Sequence, residues 1–259
     1  MKQELLDKFT GTDVSIEADD GIAILRFGKN AIRYLTDLEK RTHYFELLDT
    51  IDNDPNIKVL LKLAKPNSLD ESTYQDYIKS LCGEAVTLKD LDSSWKFKES
   101  IGRGRQLCFH QYSIMRNLSS KTIMIDGLQG ATVTPFFGQA LSADLRFASA
   151  DMYFSLEHKK YGLHPTGALP FFLPRYIGQG RAIEMLLTDE KIQAQQALEM
   201  GLINQIFPRD DFEAECINTA KEIAQTSTPT IETTKLLSFT YADELERHFK
   251  SELKLMAAL

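Results

Sequence analysis

Of 259 residues only three are cysteine, one is tryptophan and eight are proline. The thiol count is odd, and Cys82, Cys108 and Cys216 are too far apart in sequence for a metal-ligand spacing. Idle or buried thiols are therefore expected. Basic residues are in the minority, 30 Lys and Arg against 37 Asp and Glu, which gives a net charge of −7 and disfavours nucleic acid or an anionic membrane as the main partner. No run is apolar for long enough to span a bilayer, and the opening MKQELLDKFTG has no signal core, so a soluble, cytoplasmic protein is expected. Phosphate-loop and Rossmann glycine patterns are missing, as are a G-x-S-x-G nucleophile motif, a His/Cys/Asp cluster with metal-ligand spacing, internal repeats and low-complexity tracts. These absences argue against nucleotide-cofactor, metal and ordinary esterase chemistry.

What is present is enough apolar residue, 43%, to build a substantial core, and one organising stretch from Lys121 to Ala150. Thr122 to Ile125 reads as a buried strand, Gly127 and Gly130 as turn punctuation, and Pro135 to Ala143 as a small-residue helix. Asp144 to Ala148 and Met152 to Phe154 read as further strands. Strand, glycine turn, helix and strand in this order form a crossover unit, and the start of its helix leaves backbone N–H groups able to hold an oxyanion.

Elsewhere, Val14 to Ala18 and Ile22 to Phe27 flank Asp19-Asp20-Gly21 as a hairpin. Thr36 with Glu39 has capping-box form and starts a helix through about Ile51, which Asp52 to Pro55 end. Lys58 to Leu63 is a strand and Arg105 to Leu118 a helix. Residues 72–105 match no pattern; they hold the sole Trp95 and a Gly102 to Gln106 segment that reads as a solvated turn. Glu184 to Leu187 and Ala194 to Met200 are helical, Gly201 is a C-cap, and Leu202 to Phe207 is a short strand. Phe212 to Thr226 is a helix broken by Pro229, and Ile231 to Met256 supplies one or two more.

The central stretch resembles the crotonase (enoyl-CoA hydratase/isomerase) superfamily through Lys121, Gly130, Ala140, Ala143, Asp144, Arg146 and Ala148. The likeness extends to Tyr161 to Ala168, to Leu173-Pro174-Arg175, to Leu187 to Asn204, and upstream to Asn30-Ala31-Ile32. This resemblance implies an α/β fold, a spiral of repeated β-β-α units over residues 1–205 with a helical C-terminal region over 206–259. It implies a coenzyme A thioester substrate, or an acyl-carrier protein in its place, no required metal or redox cofactor, and a homotrimer or dimer of trimers. Phe249, Leu253, Leu255 and Met256 offer an apolar stripe for assembly.

Two backbone N–H groups hold the thioester oxyanion in that family. The resemblance places the first at Leu69, or at Ser68 after a one-residue slip. The second falls on Pro135, which has no N–H, so the role passes to Thr134 or Phe136. The family's two water-handling glutamates align with Gly138 and with His158, which has Glu157 beside it. Hydration by a glutamate pair is therefore not expected; isomerisation, decarboxylation or C–C cleavage through an enolate is, with His158 moving the proton. His164 would border the acyl pocket, whereas His43, His110 and His248 read as structural. The alternative is a catalytically inactive acyl-CoA binder or partner subunit on the same scaffold.

Overall fold

The computed structural model describes residues 9, 13–82, 101–161, 163–188 and 191–258. Alternating Val14–Asp19 (β1) turns at Asp20 and Gly21, both at positive φ, into Ile22–Phe27 (β2), its antiparallel partner. From β2 the sheet continues in parallel through Val59–Ala64 (β3), Ile123–Leu128 (β4), Leu145–Ser149 (β6) and Gln205–Phe207 (β9). A second sheet holds Ala131–Val133 (β5), Tyr153–Ser155 (β7) and Lys191–Gln193 (β8). Parallel strands need covered faces, and all six residues of β3 are buried.

Period-two alternation assigns those faces. Ile22, Ile24, Val59, Leu61, Leu63 and Ile125 pack under Phe212–Ala224 (α9), with Cys216 in the seam, its thiol pushed up to about 12 by burial. On the opposite face Ala23, Leu25, Leu60 and Met124 meet Ala31–Thr36 (α1) and Leu38–Asp52 (α2). That second face also carries Lys62 and Asp126, which are direct neighbours in the β3–β4 register.

The remaining helices are Glu71–Cys82 (α3), Ile101–Ser119 (α4), Phe136–Ala140 (α5), Leu169–Ile177 (α6), Gln179–Thr188 (α7), Ala194–Glu199 (α8), Thr228–Ser238 (α10) and Ala242–Ala258 (α11). The α/β spiral with a helical C-terminal region agrees with the sequence reading, while several local boundaries do not. The cap of α2 is Asp37, whose Oδ1 accepts from the Glu39 and Lys40 N–H groups; Thr36 instead closes α1 by donating to Ile32 O. Gly127 is inside β4, paired with Leu63 of β3, and not in a turn; a Cβ there would lie 2.5 Å from Leu63 Cδ2. Gly102 to Gln106 belongs to α4, not to a loop. Pro229 opens α10 behind the Ser227 cap instead of merely ending α9, and β9 starts only at Gln205. Trp95 and the proposed N-terminal arm of residues 1–13, apart from Phe9 and Asp13, lie outside the described residues. No helix among the described residues is long and apolar enough to cross a membrane.

One buried cation ties the C-terminal helices to the spiral. Lys235 Nζ donates to Asn117 O, Thr122 O and Asp144 Oδ2, and the same Asp144 oxygen accepts the Met124 N–H. The end of α4 and the starts of β4 and β6 therefore meet at a single ammonium.

Candidate active site

The loop after β3 is shaped by its own hydrogen bonds. Lys65 N–H donates to Phe27 O, Ser68 N–H to Lys65 O at 3.1 Å, and Ser68 Oγ to the same carbonyl at 2.7 Å. Asp70 then caps α3 by accepting the Thr73 N–H. Between Ser68 and Asp70, Leu69 is held through its carbonyl, which accepts the Val133 N–H at 3.1 Å, while its own N–H donates to no described residue. Of the two first-donor candidates, Ser68 is thus engaged inside its turn and Leu69 is available.

The same accounting applies across the cleft. Thr134 N–H donates to Ser155 O at 3.0 Å, Pro135 has no N–H, and Phe136, first residue of α5, donates to no described residue. Leu69 and Phe136 line one narrow cleft, partly open to solvent, with a cavity volume of about 50 Å³. Its walls include Phe27, Ala31 and Leu35, so the α1 segment that carries Asn30-Ala31-Ile32 borders it directly.

The cleft is not apolar throughout. Lys62 Nζ lies 2.8 Å from Asp126 Oδ1 and 3.2 Å from Asn117 Oδ1, and Asn117 Nδ2 donates to Ser142 Oγ. Gln139 Oε1 is 2.6 Å from His110 Nδ1, which fixes that ring's orientation against Phe136, 4.8 Å between ring centroids. Tyr44 is buried beside them, and burial together with the Asp126 charge pushes its phenol well above the ordinary range, so it stays protonated. Sequence reading missed this group and assigned His110 a structural role. The available signal was two charges, Lys62 and Asp126, inside otherwise apolar strands.

The remaining candidates lie outside this cleft lining. Gly138 faces the loop before α6: a Cβ there would overlap the Gly167 carbonyl oxygen and sit 2.7 Å from Leu169 N. Gly167, at φ +71°, is closed in turn by the Pro135 carbonyl. His158 and Glu157 are buried in the 3₁₀ turn Glu157–Tyr161. His158 Nδ1 is 3.4 Å from Thr134 Oγ1, and Glu157 Oε1 accepts from Ser155 Oγ and Lys160 Nζ. His164 is in the loop leading to Gly167 and does not line the cleft. No metal-binding cluster of His, Cys, Asp or Glu occurs among the described residues.

The sequence profile described as Enoyl-CoA hydratase/isomerase matches residues 105–259, and the chain belongs to that family. It is 37% identical over 116 residues to a "Probable enoyl-CoA hydratase" of Mycobacterium tuberculosis, a match that takes in 44% of this chain and 41% of the length of that relative. It is 23% identical over 215 residues to "4-chlorobenzoyl coenzyme A dehalogenase-2" of an Arthrobacter species, covering 83% of this chain and 73% of the other. The fold is that of an enoyl-CoA hydratase from Bacillus halodurans, with TM-score 0.77 over 95% of this chain and 94% of that one at 20% identity.

Proposed function

We propose that the protein binds an acyl-CoA thioester and stabilises its enolate, with Leu69 and Phe136 N–H groups as the two oxyanion donors. The observation that carries this reading is the pairing of two otherwise unengaged N–H groups on one cleft, where the alternatives Ser68, Thr134 and Pro135 are engaged or lack the proton. Coenzyme A, or the phosphopantetheine of an acyl-carrier protein, enters past α1. Its other side, with Lys29, Asn30 and Arg33, lines a polar groove where cations could meet phosphate. Isomerisation, decarboxylation or C–C cleavage is favoured over glutamate-pair hydration, because Gly138 has no room for a side chain and Glu157 is held by Lys160. The proton is assigned to His158, whose Nδ1 lies 3.4 Å from Oγ1 of Thr134, the residue two positions before Phe136. No metal or redox cofactor is invoked.

A noncatalytic binder is the second reading, favoured by the placement of Gly138, Glu157 and His158 outside the cleft lining. Calorimetry with hexanoyl-CoA, followed by deuterium exchange at its α-carbon, separates the two. Binding with exchange that falls about a hundredfold or more in His158→Ala, at unchanged affinity, supports the enzyme. Binding without exchange supports the binder, and absence of binding removes both.

We also propose a homotrimer or dimer of trimers. Phe249 of the expected stripe is inside the core, yet Leu236, Leu237 and Leu255 remain exposed and available to a second copy. Light scattering at micromolar concentration should report three or six chains; a monomer refutes assembly.

A further inference from the structure

The segments that carry Leu69 and Phe136 are both fastened to the small second sheet. Successive N–H groups of a strand point to opposite edges: the Thr134 N–H goes to Ser155 O on β7, and the Val133 N–H goes to the Leu69 carbonyl on the other edge of β5. Glu71 fastens the Leu69 segment a second time. It is the first residue of α3, two positions after Leu69, and its Oε2 accepts the Tyr153 hydroxyl of β7 at 3.0 Å. The register sets Tyr153 beside Ala131 of β5, whose single methyl leaves the phenol room to reach across that strand. Lys191 of β8 closes the group, its Nζ 3.2 Å from Glu71 Oε1 and 4.2 Å from the centre of the Tyr153 ring. Burial opposes the charge on Glu71, yet its own backbone N–H, Lys191 and the Tyr153 hydroxyl together hold the carboxyl below its ordinary value, so the bond from Tyr153 is charge-assisted. One strand, β7, thus holds Thr134 through the Ser155 carbonyl and Glu71 through the Tyr153 side chain, two residues apart.

We propose that Glu71 and Tyr153 are positioning residues, whose hydrogen bond fixes the Leu69 N–H relative to the Phe136 N–H so that both reach one thioester oxygen. This role rests on the acyl-CoA reading and adds how its two donors are kept in place. Donors must be preorganised at about 2.7–3.1 Å from the oxyanion, and a displacement of about 1 Å can cost a hundredfold in rate. The other polar bonds of the loop shape it from within: Asp70 Oδ1 accepts the Thr73 N–H, and Asn67 O accepts the Thr73 hydroxyl. Neither ties it to β5 or β7. Held by the Leu69 carbonyl alone, the segment can rotate about that one contact, and the Glu71–Tyr153 bond is the second point that stops it. Lys191 is exposed, so its ion pair adds little and the hydroxyl bond is the one that matters.

The test is infrared spectroscopy of the full chain saturated with hexanoyl-CoA that is isotopically labelled at its thioester carbonyl, since each hydrogen bond to that oxygen lowers its stretching frequency. On the native protein the band should lie below that of the ester in buffer. Tyr153→Phe, which keeps the ring beside Lys191, and Glu71→Ala should each lose roughly half of that downshift, the share of one donor in two. A role in stability alone would leave the band of the bound ester where it is. Glu71→Gln retains an oxygen for the Tyr153 hydroxyl and should keep the native band. A native band in Tyr153→Phe or Glu71→Ala, a Glu71→Gln band as weakly shifted as that of Glu71→Ala, or loss of all ester binding in Tyr153→Phe overturns the positioning role and leaves the acyl-CoA reading intact. If the native protein binds the ester without a downshift, or does not bind it, the two-donor reading falls and this role falls with it.

Discussion

Gly138→Glu, which would put a carboxylate at the position that the resemblance aligns with the family's first glutamate, is expected to destabilise the fold by at least about 3 kcal/mol without producing hydration. A Cβ at residue 138 meets backbone, the Gly167 carbonyl and Leu169 N, and not the movable end of a side chain. Gly167 cannot retreat freely, since it is at φ +71° against the Pro135 carbonyl. Even Gly138→Ala should lower the urea midpoint markedly, by about 1–3 kcal/mol in stability. A Gly138→Glu variant of native stability that hydrates crotonyl-CoA would show that this loop is not closed and that the assignment of chemistry away from hydration is wrong.

Lys235→Met should cost about 3–5 kcal/mol, as expected when one partner of a buried ion pair is removed. The loss leaves Asp144 with only the Met124 N–H, strands the Asn117 carbonyl and leaves the Thr122 carbonyl with only the Ser120 hydroxyl, at the joint of α4, β4 and β6. Adding Asp144→Asn, whose amide oxygen can still accept from Met124, should recover part of the loss in a double-mutant cycle. Burial holds the Lys235 ammonium below its ordinary value of 10.5, although Asp144 pulls the other way. The unfolded chain therefore binds more protons as pH approaches 10.5, and stability from this group rises with pH across that window. Urea unfolding should thus show the gap between native protein and Lys235→Met widening toward pH 10.5. A gap under about 1 kcal/mol, the value of an exposed pair, would mean that Lys235 does not hold the joint.

Local pattern made the strands legible, because β2, β3 and β4 are apolar runs of strand length between turn residues. The family resemblance then supplied their arrangement. What local pattern could not supply was partnership across the chain. Lys62 and Asp126 meet only because the parallel register sets β3 beside β4, and nothing near Lys62 in sequence announces Asp126. The Thr36 capping signal failed for a different reason: Asp37 is an equally good cap one residue later, and the short helix α1 had already claimed Thr36. Gly127 was misread as a turn because a glycine in a strand and a glycine after one look alike until the packing of Leu63 is known. The proposed choice of Leu69 over Ser68, and of Phe136 over Thr134, rests on which N–H groups the fold itself uses, and no local sequence pattern states that.

The most direct test of the account is a crystal structure of the protein with hexanoyl-CoA bound. The account predicts the thioester oxygen at about 3 Å from both the Leu69 and Phe136 nitrogens. A thioester oxygen in solvent, or one held by other groups while either nitrogen points away, would contradict it.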